Sequence, residues 1–176
     1  MPHTQEEYAR TAELRARSLN QAFARLSPKR RLVLAEIVNG LRGTEIAQKL
    51  NCSASTINGH KKSIYRKLGV NNLTAAAVVA VIYGGFKPER HLDDDLKQGL
   101  ADLNNVDREV LMWLATGLTN REIAEKKKCS RHTVESRVRR RIFGKLGVKT
   151  RRHAAVLGVV YGGIKPDLDA ILRDLY

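Results

Sequence analysis

The side chains in this chain with the most evident chemistry are cations. Lys61, Lys62, Arg66 and Lys67 form one cluster, and Arg137, Arg139, Arg140, Arg141 and Lys145 form another. Cations at that density neutralise phosphates and release the counterions condensed on a nucleic acid. Other chemistries have few candidates. His132 and His153 have no Ser, Cys or carboxylate partner at a catalytic spacing. Cys52 and Cys129 are too few for a disulfide scaffold and lie in no cluster with metal-ligand spacing. The sequence therefore predicts no catalytic site, no metal and no cofactor.

The chain as a whole is basic. Its 176 residues contain 32 Lys+Arg against 18 Asp+Glu, a net charge of +14, and the isoelectric point is about 10.2. Such a balance suits a polyanion, either nucleic acid or an acidic membrane surface. No stretch approaches the roughly 18 apolar residues of a membrane span, and the start lacks the pattern of a signal peptide. A cytoplasmic protein without a membrane partner is expected. Positive charge is also concentrated. Residues 26–88 carry 10 basic and 2 acidic side chains and residues 103–166 carry 15 and 5, whereas residues 89–102 carry 2 and 5.

The two basic blocks are copies of one another. An offset of 77 superposes Leu19 on Leu96, Leu26 on Leu103, Val33-Leu34 on Val110-Leu111 and Gly40-Leu41 on Gly117-Leu118. The same offset pairs Glu45-Ile46-Ala47 with Glu122-Ile123-Ala124, Cys52-Ser53 with Cys129-Ser130 and Thr56 with Thr133. Beyond that point the offset is 78, which pairs Lys67-Leu68-Gly69-Val70 with Lys145-Leu146-Gly147-Val148 and Tyr83-Gly84-Gly85 with Tyr161-Gly162-Gly163. The second copy thus holds one extra residue between Thr133 and Lys145.

The elements that position the cations read as helices. Apolar residues recur at helical spacing up to Gly40 and Gly117, with no strand-like alternation. A very short helix follows from Thr44 to Leu50, and its counterpart opens with the capping-box spacing of Thr119 and Glu122. Ser53 and Ser130 can cap a longer helix that stops at the glycine after Leu68 or Leu146. A fourth helix runs from about Leu73 to Tyr83 and from Arg152 to Tyr161. The predicted fold is all-α: an N-terminal helix in residues 1–25, a first unit in 26–88, a linking helix in 89–102, a second unit in 103–166 and a final helix in 167–176. A short helix, a tight turn and a longer helix form a helix-turn-helix, whose second member fits the major groove, roughly 12 Å wide.

At the level of these motifs the chain resembles the LuxR-type helix-turn-helix found at the ends of many bacterial response regulators and quorum-sensing activators. In the second unit the resemblance rests on Gly117-Leu118-Thr119-Asn120-Arg121-Glu122-Ile123-Ala124, Ser130-Arg131-His132-Thr133-Val134-Glu135 and Lys145-Leu146-Gly147-Val148. In the first it rests on Leu26-Ser27-Pro28, Glu45-Ile46-Ala47, Thr56-Ile57, His60 and Ile64-Tyr65-Arg66-Lys67-Leu68-Gly69-Val70. A sigma-factor region-four reading is weaker, because the Lys-Leu-Gly-Val ending and the fourth helix argue against it. The resemblance implies a sequence-specific transcriptional regulator of double-stranded DNA, with RNA polymerase as a second candidate partner.

Placed on the family pattern, Asn58, His60 and Lys61 in the first unit and Glu135, Arg137 and Val138 in the second are expected to face the groove. Thr44, Thr56, Lys62 and Arg66, with Thr119, Thr133 and Arg139, are expected on the DNA backbone. Lys67, Arg131, Arg140, Arg141 and Lys145 complete the expected DNA-binding set. Two departures stand out. The turn reads Leu50-Asn51 in the first unit and Lys127-Lys128 in the second, and Lys tolerates the left-handed conformation poorly, so the second turn is expected to differ. The extra residue should rotate the later part of the second recognition helix by about 100° unless a bulge absorbs it. Cys52 and Cys129 occupy the family's small apolar anchor and are expected in the core.

The fourth helices are apolar on every side and must be covered twice over. Either they pair with each other as an internal pseudo-dimer, or the added helices cover them and leave the units free for a homodimer. A second class of function is an interaction module that binds and inhibits another regulator through these helices. About 25 residues precede the first unit, too few for a phosphoacceptor or ligand-sensing domain, so control by an internal receiver is not expected.

Overall fold

The computed structural model describes residues 5–172, with side chains from residue 10 onward. Among the described residues every regular element is helical. Helices α1 (Gln5–Ala24), α2 (Pro28–Val38), α3 (Gly43–Lys49), α4 (Ala54–Leu68) and α5 (Leu73–Tyr83) make up the first repeat. The second contains α6 (Asp94–Ala101), α7 (Asn105–Thr116), α8 (Asn120–Lys127), then α9 (Arg131–Ser136) continued by a π-helical stretch, Arg137–Phe143, and by α10 (Gly144–Leu146), and finally α11 (Arg151–Tyr161). Helix α12 (Leu168–Ile171) follows. The expected terminal helices are thus present, though residues 1–4 and 173–176 of those expectations lie outside the described residues.

Helix starts follow from side-chain oxygens that accept the first free N–H groups. Asn72 caps α5, Asp93 caps α6, Asn104 caps α7 and Thr150 caps α11, each accepting from the residue three positions on. Asn72 and Thr150 occupy equivalent places in the two repeats, whereas Ser27, the counterpart of Asn104, makes no side-chain cap bond.

One continuous core joins the repeats. Helix α5 packs on α2 within its own repeat and α11 packs on α7, while α5 and α11 also pack on each other and cross to α7 and α2 respectively. Seven successive residues of α5, Thr74–Ala80, are buried, as are Ala154–Gly158 of α11. A helix buried all round needs neighbours on opposite sides, and each of these two is such a neighbour for the other. Helix α1 packs on α4 and also on α5, and α6 packs on α10.

The seam is reciprocal. The Asn72 amide donates to the Gly117 carbonyl at 3.4 Å, and at the matching place in the other direction the Thr150 hydroxyl donates to the Gly40 carbonyl at 3.1 Å. Gly40 lies at φ +83°, and a Cβ there would sit 2.5 Å from the His153 Cβ, so the close approach of the repeats requires glycine.

The contact of α6 with α10 is equally tight, because a Cβ on Gly99 would lie 1.9 Å from the Lys145 carbonyl oxygen. Gly99→Ala should therefore cost about 1–3 kcal/mol as an overpacked contact. Gly59→Ala, in open space on α4, should stabilise by roughly 0.5–1 kcal/mol through helix propensity. Urea unfolding of the two variants checks both signs.

Candidate nucleic-acid interface

Both helix-turn-helix elements are built from the same local bonds. The backbone N–H of Arg42 donates to Glu45 and that of Thr119 to Glu122, closing the entry to α3 and α8. The Thr119 N–H and hydroxyl hold the Glu122 carboxyl below the usual carboxylate range. In the turns, Asn51 and Lys128 both adopt the left-handed conformation, at φ 49° and 50°. Cys52 N–H then donates to Ala47 and Cys129 N–H to Ala124. The second turn therefore does not differ, contrary to expectation: Lys128 accepts the strained conformation because the bonds on either side of it are those of the first turn. Cys52 is half-buried against the core, but Cys129 is exposed, which corrects its expected core role.

The recognition helices start alike. Ser53 accepts from the Thr56 N–H and Ser130 from the Thr133 N–H, both at 3.0 Å, and each serine hydroxyl also pairs with the threonine hydroxyl at 2.8 Å. Both threonines are exposed. In the first repeat Asn58, Lys62 and Arg66 are exposed, while His60 and Lys61 are half-buried. Burial pushes the Lys61 ammonium down, and the positive Arg152 nearby adds to this. Lys67 turns away from the helix surface and donates to the Arg25 carbonyl at 2.6 Å.

In the second repeat the extra residue is absorbed by the π-helical stretch. From Ile57 to Leu68 the longer helix of the first motif advances 11 positions, about three α-helical turns of 3.6. The matching advance from Val134 to Leu146 is 12 positions, and the wider π turn accommodates the surplus. Val134, Val138, Ile142 and Leu146 all reach the core at four-residue spacing. Opposite them Arg139 and Arg140 are exposed.

A buried carboxylate organises the adjoining face. Asp107, on α7, is wholly buried and pairs with Arg137 at 2.9 Å, Arg141 at 3.2 Å and Lys145 at 3.4 Å. Burial alone would push its carboxyl up, but the hydrogen bonds from the two arginines and the lysine outweigh that and hold it below the usual range. Lys145 also donates to the Asp102 carbonyl at 2.5 Å, as Lys67 does to Arg25.

Comparison with known proteins bears directly on this architecture. The profile of the bacterial regulatory proteins of the luxR family matches residues 24–80 and again residues 102–157. The chain belongs to the luxR family. Among curated proteins it is 54% identical over 48 residues to the transcriptional regulatory protein RcsB of Escherichia coli K12, covering 27% of this chain and 22% of that protein. It is 44% identical over 52 residues to the transcriptional regulatory protein LnrK of Bacillus subtilis, covering 30% and 24%. The match thus spans under a quarter of the length of these relatives. No solved structure matches the chain.

Set against the luxR-family placement, the structure redistributes several residues. Val138 is 4% exposed and belongs to the core, so it does not face a groove; the placement assumed a regular helix through a stretch that is π-helical. Arg137 pairs with Asp107, and Glu135 pairs with Arg131 at 3.4 Å. Arg141 and Lys145 share Asp107 as well. Thr44 and Thr119 are exposed at the entry of the first helix of each motif. Thr56, Asn58, Lys62 and Arg66 on one unit, and Thr133, Arg139 and Arg140 on the other, are therefore expected contacts that stand exposed on these helices with no ion pair among the described residues.

The sequence reading passed over Asp107. A signal was present, since the offset of 77 places it on Arg30, a charge reversal between repeats that coincides with the added Arg137 and Arg141. Because the folded carboxyl titrates below its unfolded value near 3.9, its stabilisation is complete above that pH and is lost as pH falls through the folded pKa. Asp107→Asn should cost about 1–3 kcal/mol at neutral pH, less than a fully buried pair because the cations left behind reach water. Chemical unfolding from pH 3 to 7 should show the difference between the two proteins shrinking toward the acid end.

Proposed function

We propose that this chain is a sequence-specific transcriptional regulator that binds double-stranded DNA with both recognition helices, its units at residues 26–88 and 103–166 acting as an internal pseudo-dimer. The observation that carries this reading is the presence of two matching helix-turn-helix elements, each with an exposed, capped start to its longer helix and exposed cations further along that helix. Phosphate contacts fix register and base-edge contacts supply sequence. On this reading Thr44, Thr56, Lys62 and Arg66 hold the backbone of one half-site and Asn58 reads base edges. Thr119, Arg131, Thr133, Arg139 and Arg140 serve the other.

Support for pairing within one chain comes from the packing of α5 on α11 and from the reciprocal Asn72–Gly117 and Thr150–Gly40 bonds, since a two-fold interface has each surface contact repeated in the opposite sense. The same packing counts against the interaction-module reading, whose surface would be the apolar fourth helices. The naming of RcsB and LnrK as transcriptional regulatory proteins agrees with the proposal.

The test begins with sites selected from random duplexes. The free chain should sediment as a monomer and protect an imperfect inverted repeat with half-sites about one helical turn apart. Asn58→Ala should weaken binding to the selected site by about 10- to 100-fold, a loss on the order of 1–3 kcal/mol, and relax preference in one half only. Lys62→Ala should weaken all duplexes alike and reduce the salt slope by about 1. Absence of duplex binding at low salt would overturn the proposal in favour of a protein partner, and a stable homodimer would overturn the internal pairing.

A further inference from the structure

The apolar contact between α5 and α11 brings the repeats together but does little to set their register. Both helices bury alanines, Ala75 to Ala77 and Ala80 on one and Ala154 and Ala155 on the other, alongside valines, and apolar burial is non-directional. Direction comes from hydrogen bonds, whose strength falls steeply with angle. Those that cross the seam are unequal. From the first half of the chain to the second run the long Asn72–Gly117 bond at 3.4 Å and, away from the motif entries, the bond of Arg15 on α1 to Asp169 on α12 at 2.5 Å. In the other direction Thr150 reaches Gly40 at 3.1 Å, and the Arg152 guanidinium reaches the Leu41 carbonyl at 2.8 Å and the Gly40 carbonyl at 3.4 Å.

Position matters as much as length. Gly40 and Leu41 lie between α2 and α3, immediately before the helix-turn-helix of the first repeat. Arg152 sits in the first turn of α11, next to Arg151, which donates to the Leu118 carbonyl at the equivalent junction of the second repeat. Two consecutive arginines on one helix therefore hold the entry strands of both motifs, one in each repeat. The first repeat has no such pair, for Leu73 and Thr74 occupy those places. Cations in a first helical turn oppose the helix dipole, so propensity alone does not account for them.

We infer that Arg152 is the positioning residue that fixes the separation and relative rotation of the two recognition helices, and so decides which spacing of half-sites the protein accepts. The inference rests on the internal pseudo-dimer proposed above. Adding one base pair between half-sites turns one of them by about 34° and moves it about 3.4 Å along the duplex. A rigid pair of heads rejects that change, whereas a pair without the Arg152 tie, held across the seam by apolar packing and the Asn72–Gly117 and Thr150–Gly40 bonds, has more freedom to meet it.

The experiment uses the full chain and duplexes carrying the selected half-sites with the spacing changed by one or two base pairs either way, with affinity read by fluorescence anisotropy. The native protein should lose at least about tenfold in affinity on a change of one base pair. Arg152→Met should bind the best spacing within about threefold of the native protein and lose less than about threefold on the same change. Both bonds come from the one Nη2 atom, and the shorter lysine, whose ammonium ends a flexible stem, does not hold a donor in that place, so Arg152→Lys should show the same relaxed spacing, and it carries the comparison where the Met variant loses helical circular dichroism. A uniform drop in affinity with the spacing penalty intact would mark Arg152 as merely stabilising and overturn the inference while leaving the pseudo-dimer standing. A native protein indifferent to spacing, or to the second half-site altogether, would overturn both.

Discussion

Everything in this structure depends on two helices that cannot be covered by their own units. A repeat of about 60 residues offers α5 or α11 one packing surface, yet each presents apolar side chains around its whole circumference. The unmet side has to be removed from water, and the other copy of the same helix supplies the nearest matching surface. Once α5 lies on α11, the crossed contacts to α2 and α7 follow, and the two cores become one. Small side chains let the backbones come close, so polar groups at the helix starts meet carbonyls of the opposite repeat. The reciprocal cap bonds are a product of that approach rather than its cause.

The repeats share a scaffold but not a charge plan. Lys67 and Lys145 do the same structural work, tying the end of a recognition helix to a carbonyl of the segment before it. Around Asp107 the second repeat departs. A buried acid on α7 faces two arginines and a lysine on the recognition helix, where the first repeat has Arg30 on α2. Burying one carboxylate among three cations is tolerable because all three bond to it and because the cations keep contact with water. The effect is to tie Arg137, Arg141 and Lys145 to one carboxylate, while Arg139 and Arg140 stand exposed with no such partner among the described residues. Two units that look alike in sequence thus present different arrangements of charge to solvent.

Much of this was legible in the residues alone. The offset of 77 that becomes 78 located both repeats and the extra residue, and cap residues such as Ser53, Ser130 and Thr119 marked helix starts where the structure has them, because a cap is a local bond between neighbours in sequence. The all-helical fold follows from the same local rules. Less legible was the second turn, where the poor left-handed propensity of Lys128 argued for a different path. Propensity is a small term, and the flanking bonds to Ala124 and Glu125 override it. Val138 was misplaced for a related reason: helical phase is set by counting, and counting fails once one turn takes an extra residue.

What the sequence by itself determined was therefore the local and the periodic: helix positions, the two copies, the concentration of positive charge, and the need of the fourth helices for a second cover. What only the tertiary structure decided was which groups meet across distance. That α5 would pack on α11 as well as on α1, that α1 and α6 would also pack on α4 and α10, and that Asp107 would pair with Arg137 and Arg141 all depend on contacts between residues far apart in the chain. Such contacts are selected by shape, by close approach at Gly40 and Gly99, and by the cost of leaving a buried charge or carbonyl unpaired, none of which leaves a period in the chain.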